Sequence, residues 1–114
     1  MGWAVHPDGL RQMLHHAART GLPLHVTENG IATTDDTERV AYLQTHLAAV
    51  AQALAEGVDV RGYLHWSAFD NFEWSEGYRP KFGLIAVDRN DFTRYPKPSA
   101  HAFARVADTG RLSA

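Results

Sequence analysis

Two short apolar runs, Leu22–Thr27 and Val60–Trp66, flank one long amphipathic stretch, and each run leads into a loop that carries acids. Two strands joined through a helix return to the same end of the sheet, so they pair in parallel and send both loops out of one rim. That pattern constrains the fold more than any other feature of the chain. The helix between them is predicted from about Thr37 to Glu56. Thr34, Asp35 and Asp36 supply cap oxygens before it and Gly57 ends it. Its apolar stripe is Val40, Leu43, Leu47, Val50 and Leu54, on a background of alanines that let a helix lie close against a sheet. An earlier helix is predicted over Pro7–Thr20, with Leu10, Met13, Leu14, Ala17 and Ala18 at helical spacing. Beyond Glu73, Phe82–Asp88 and Phe92–Tyr95 read as a hairpin around Arg89-Asn90-Asp91. Pro98-Ser99 opens a last helix with Phe103 and Val106 facing inward.

Acids at the carboxyl ends of parallel strands are the arrangement of a parallel α/β barrel, whose chemistry sits on that rim. A complete barrel needs roughly 250 residues, and this chain has 114. Residues 1–114 therefore read as part of one barrel domain: two parallel strands with flanking helices plus a hairpin. The formal charge of -2 gives no electrostatic reason to expect nucleic acid or an anionic membrane as partner. Without cysteine there is no disulfide or thiolate metal site, and no His or acid spacing supports a metal. No cofactor is implied. No apolar run is long enough to span a bilayer and no leader pattern opens the chain, so a cytoplasmic location is the expectation.

Glu28 ends the first apolar run in Leu24-His25-Val26-Thr27-Glu28-Asn29-Gly30. A glutamate there projects into the mouth of a barrel, where a partly desolvated carboxylate can attack an anomeric carbon. Taken alone, it reads better as a solvated strand-end acid, and the second motif below shifts the balance to the functional reading. Gly30 relieves crowding at the turn, and Asn29 can hold the loop through its side chain. The second constellation is Trp66-Ser67-Ala68-Phe69-Asp70-Asn71-Phe72-Glu73-Trp74. Sugars offer flat C–H faces and hydroxyls, and two tryptophans around a carboxylate answer both, although a single Trp is as often a core residue. Tyr63 reads as packing, and Arg79 and Lys81 as solvated. His65, beside Trp66, reads as a structural histidine with its hydrogen bonds satisfied.

Together these segments resemble the C-terminal part of a family 1 glycoside hydrolase, the β-glucosidase and β-galactosidase group, over nearly the whole chain. The resemblance implies a retaining enzyme on a (β/α)8 barrel. The glutamate of Thr27-Glu28-Asn29-Gly30 would be its nucleophile. It also implies that Glu73 accepts hydrogen bonds from the two sugar hydroxyls farthest from the anomeric centre, that Trp66 lies under the ring, and that the Trp74 N–H donates to a further hydroxyl. Phe82 matches a family aromatic that closes the pocket and equally suits a hairpin core. The related phospho-glycosidases carry a small hydroxyl residue at the position of Glu73. A fixed carboxylate repels a phosphate dianion, so an unphosphorylated β-glucoside or β-galactoside is the expected substrate. The brief connection Ile31–Asp36 is similar to the subgroup that tolerates several β-glycosides.

Retaining hydrolysis uses two carboxyl groups about 5 Å apart. The family takes its acid/base from an Asn-Glu-Pro motif, which does not occur in this sequence. Met1-Gly2-Trp3 also resembles an internal segment of the family. The expectation is a catalytically incomplete piece, marginal alone, whose N-terminal barrel half lies in a longer parent or a partner chain. The other readings are a carbohydrate-binding or interaction fragment without activity, and half of a split enzyme.

Overall fold

The computed structural model describes residues 2–112. In chain order it has α1 (Pro7–Ala18), β1 (Leu24–Asn29), α2 (Asp36–Ala55), β2 (Val60–His65), a 3-10 turn (Trp74–Glu76), β3 (Ile85–Val87), β4 (Arg94–Pro96) and α3 (Pro98–Thr109). β1 and β2 pair in parallel across α2, and β3 and β4 pair antiparallel. α2 begins where the cap oxygens predict: the Asp35 carboxylate accepts the Thr37 N–H at 2.9 Å. It ends at Gly57, whose φ of 93° is closed to most side chains.

Leu14 of α1, Val26 of β1, Val50 and Ala53 of α2 and Val58 form a buried core, with Leu10, Ala18, Leu24, Val60 and Tyr63 packed around it. Tyr63 packs, as its position on the strand suggests. Phe103 and Val106 of α3 are half-buried, and the Phe103 ring lies 6.1 Å from that of Tyr63 and 6.2 Å from that of His65.

Three expectations need correction. The buried face of α2 is Arg39, Leu43, His46, Ala49, Val50 and Ala53 rather than the stripe ending on Leu54, which is 48% exposed. Close approach selects the small alanines for contact, and one position of helical phase carries Leu54 out. Met13 is likewise exposed, while Leu14 carries the α1 contact. The hairpin is shorter than the run Phe82–Asp88 suggests. Residues 82–85 instead continue the sheet beside the segment after β2. Ser67 N–H donates to Phe82 O, Leu84 N–H to Ser67 O, and Asp70 N–H to Ile85 O, and Phe69 bridges Ile85 in parallel. Phe82 thus sits at the end of β2, outside the hairpin core.

Candidate active site

β1 sets the direction of Glu28 through an irregularity. The strand register slips between Val26 and Asn29. Regular alternation would put Glu28 on the face of Val26, which is buried toward the helices. At this irregularity Glu28 is exposed and lines the cleft described next, and bulges of this kind are common beside functional sites. Tyr63 then fixes the next residue, its hydroxyl donating to Asn29 Oδ1 at 2.7 Å. The Asn29 carbonyl accepts the Trp66 N–H at 3.0 Å, tying the two strand ends together. Gly30 is demanded by this approach: a Cβ there would lie 1.8 Å from the Trp66 carbonyl oxygen.

Glu28, Asn29, Gly30, Trp66, Glu73, Trp74 and Phe82 line one open cleft of about 450 Å³ at the carboxyl ends of β1 and β2. All five residues singled out in the sequence meet there. Glu28 is exposed rather than partly desolvated, because only two strands frame the cleft on its side. Trp66 is 39% and Trp74 83% exposed, so neither is a core residue. Trp74 takes a φ of 46°, uncommon for a bulky side chain, where the chain turns to bring Glu73 and Trp74 to the same cleft. Phe82 is fully packed, its ring 6.0 Å from that of Trp3.

Two further residues line the cleft, Trp3 and Tyr42. The sequence carries a signal for Tyr42: an aromatic four residues before His46 on one helix face. Its ring stacks on the His46 imidazole at 3.7 Å. Burial pushes the Tyr42 phenol up and the His46 imidazole down.

Behind the cleft lies a buried junction. Arg39 is 1% exposed; its guanidinium donates to the carbonyls of Thr33 at 2.5 Å and Lys81 at 2.7 Å and pairs with Asp36 at 2.5 Å. Asp36 also accepts the Ser99 hydroxyl at 2.7 Å and backbone N–H at 2.8 Å. Burial pushes the Asp36 carboxyl up, but the Ser99 donors and Arg39 together hold it below the usual range. One guanidinium so joins the loop after Glu28, the segment before Phe82 and, through Asp36, the start of α3.

His65 departs from the satisfied histidine expected. Its Nε2 lies 3.4 Å from the Phe82 carbonyl, a long contact. Its Nδ1 is buried with no partner among the described residues. Burial drives its pKa down to about 4. Lys97, by contrast, is well partnered, by the Gly83 carbonyl at 2.6 Å and Asp70 at 3.2 Å. Among the described residues no group of three or more His, Cys, Asp or Glu could hold a metal, and no helix is long and apolar enough to cross a membrane.

Strands joined in parallel through a helix, with acids and aromatics gathered at their carboxyl ends, define a segment of a (β/α)8 barrel at its functional rim. The chain belongs to glycosyl hydrolase family 1, whose family model matches residues 1–111. It is 49% identical over 106 residues to a β-galactosidase of Sulfolobus acidocaldarius, covering 92% of this chain and 22% of that protein. It is 50% identical over 115 residues to β-glucosidase 4 of Oryza sativa subsp. japonica, covering 89% of this chain and 24% of that one. Among solved structures, a β-glycosidase from Pyrococcus horikoshii superposes with a TM-score of 0.97 at 46% identity, covering all of this chain and 27% of that one. The chain thus spans about a quarter or less of the length of the two curated relatives.

Proposed function

We propose that this chain supplies the nucleophile-bearing part of a retaining β-glycosidase acting on unphosphorylated β-glucosides and β-galactosides. The observation that carries the reading is the meeting of Glu28, Glu73, Trp66, Trp74 and Phe82 in one cleft at the ends of paired parallel strands. In this reading Glu28 attacks the anomeric carbon. The bond from that carbon to the leaving oxygen breaks, and the oxygen takes a proton from an acid outside this chain. Water then attacks the glycosyl ester, gives up a proton to the same group, and frees Glu28. Trp66 lies under the sugar ring, Glu73 accepts from its distal hydroxyls, the Trp74 N–H donates to another, and Phe82 closes the wall. The Glu73 carboxylate sets the pocket against a phosphorylated sugar.

The proton donor and the rest of the barrel come from a longer polypeptide or a partner chain. General acid assistance is worth about 10²–10⁴-fold, so the 114-residue chain alone hydrolyses cellobiose no faster than a Glu28→Gln control. In the complete enzyme, a fluorinated β-glycoside with a good leaving group leaves a stable ester on Glu28, read by peptide mapping. An adduct on another carboxylate, or a product of inverted configuration, removes Glu28 from this role.

A further inference from the structure

In the run from Trp66 to Trp74, the polar side chain in direct contact with the Glu73 carboxylate is Asn71, to which the reading above gives no task. Its Nδ2 lies 2.7 Å from Oε2 of Glu73. A carboxylate oxygen accepts, so the NH2 side of the amide faces it and Oδ1 faces the other way. There, Oδ1 lies 3.2 Å from the hydroxyl of Ser67, a buried residue whose single proton goes mainly to the Phe69 carbonyl at 2.7 Å. Ser67 directly follows Trp66 at the end of β2. Asn71 therefore sits against Ser67 at the strand end on one side and donates to one oxygen of Glu73 on the other.

The loop beneath is anchored. Asp70 accepts the Gly83 N–H at 3.0 Å and pairs with Lys97, Arg89 donates to the Asp70 carbonyl, and the Glu73 N–H donates to Gly77 O at 2.7 Å. A fixed backbone still leaves a glutamate three rotatable bonds, and ordering such a side chain costs up to about 2 kcal/mol. The Asn71 amide meets that cost in advance. It holds Oε2, while no described residue donates to Oε1, and Glu73 lines the cleft.

We propose that Asn71 is a positioning residue for sugar recognition: it orients the Glu73 carboxylate toward the substrate hydroxyls. The inference rests on the reading of Glu73 given above. Asn71→Asp keeps the shape and the acceptor for Ser67, but it removes the donor and sets a like charge beside Glu73. In the complete enzyme, Asn71→Asp lowers kcat/KM for an aryl β-galactoside about tenfold. The loss is several-fold smaller on the aryl β-fucoside, the same sugar without its primary hydroxyl. Asn71→Ala shows the same selectivity with a smaller loss, and guards against misfolding of the charged variant.

The third arm is Glu73→Gln. In that background the amide introduced at position 73 can donate to the carboxylate introduced at position 71, so adding Asn71→Asp costs less than about twofold. Equal losses on both sugars, or a loss that persists in the Glu73→Gln background, would mean that Asn71 only holds the loop, and the proposal falls. If Glu73→Gln leaves the galactoside-to-fucoside preference unchanged, the assignment of Glu73 itself falls instead. The two failures are thus told apart.

Discussion

On its helix side the β1–β2 pair meets Leu14, Val50, Ala53 and Val58, all buried. On the cleft side Trp66 and Trp74 are 39% and 83% exposed and Leu64 is 61% exposed. The same two strands thus carry a dry face and an open one. Apolar burial yields about 25 cal/mol per Å², so the helix side holds the strands in place. The cleft side contributes little to that and is free to present Glu28, Glu73 and the aromatics. The junction around Arg39 joins the two, because a single buried guanidinium grips both the loop after Glu28 and the segment before Phe82. On this comparison, substitutions on the open side cost activity without stability, and substitutions on the closed side do the reverse.

The largest effect tests the open side. On the nucleophile role proposed for it, Glu28→Gln in the complete enzyme lowers kcat at least about 10³-fold, because losing such a group forfeits most of the chemical step. Its side chain is exposed, so the stability read from the urea midpoint stays within about 0.5 kcal/mol of wild type. A marked loss of stability in that variant would show that the cleft face also holds the fold together, and the contrast would collapse.

Arg39→Met tests the junction. The substitution removes the guanidinium donor from the Thr33 carbonyl and from the Lys81 carbonyl, which keeps the Thr33 N–H at 3.0 Å, and strips Asp36 of its counter-charge. Removing one partner of a buried ion pair costs about 3–5 kcal/mol, read as a lowered urea midpoint with unchanged slope. Stability close to wild type would mean that the guanidinium contributes no more than its methylene stem.

Legibility in the sequence follows the same division. The strand-helix-strand unit, the Asp35 cap, Gly30 and the five cleft residues are all visible, because each depends on local pattern or on chemistry unusual for a core. Arg39 and His46 are not, since charged and polar residues on a helix are read as solvent-facing. The Arg39 guanidinium is held in the interior by the local Asp36 carboxylate together with the Thr33 and Lys81 carbonyls, 48 positions apart in the chain, and that meeting is not visible in the sequence. Which strand residues 82–85 pair with escapes the sequence for a related reason: an apolar run announces a strand, and the partner it chooses is a tertiary matter. Asn71 lies inside a motif that the sequence singles out, but its task depends on the side-chain distance to Glu73.

The smallest effect concerns His65, at the border of the two regions. It stands between Phe103 on the helix side and Trp66 at the cleft, with one ring nitrogen buried and unpartnered among the described residues. Burial lowers its folded pKa to about 4, against about 6.5 in an unfolded chain. Between those values the unfolded state binds the extra proton, so stability rises with pH across this window and is lost on acidification from about 6.5 toward 4. A shift of this size corresponds to at most about 3 kcal/mol, and about 2 kcal/mol is expected after relaxation and water entry. His46, also pushed down by burial, adds to the acid sensitivity in the same direction. The discriminating measurement is therefore a difference: urea midpoints at pH 7 and pH 5 for wild type and for His65→Gln, which cannot take up a proton. The variant loses part of the pH dependence and keeps the part due to His46. If both proteins weaken equally on acidification, the His65 ring reaches water in the folded state, and the border between the dry and open faces lies one residue deeper than the structure draws it.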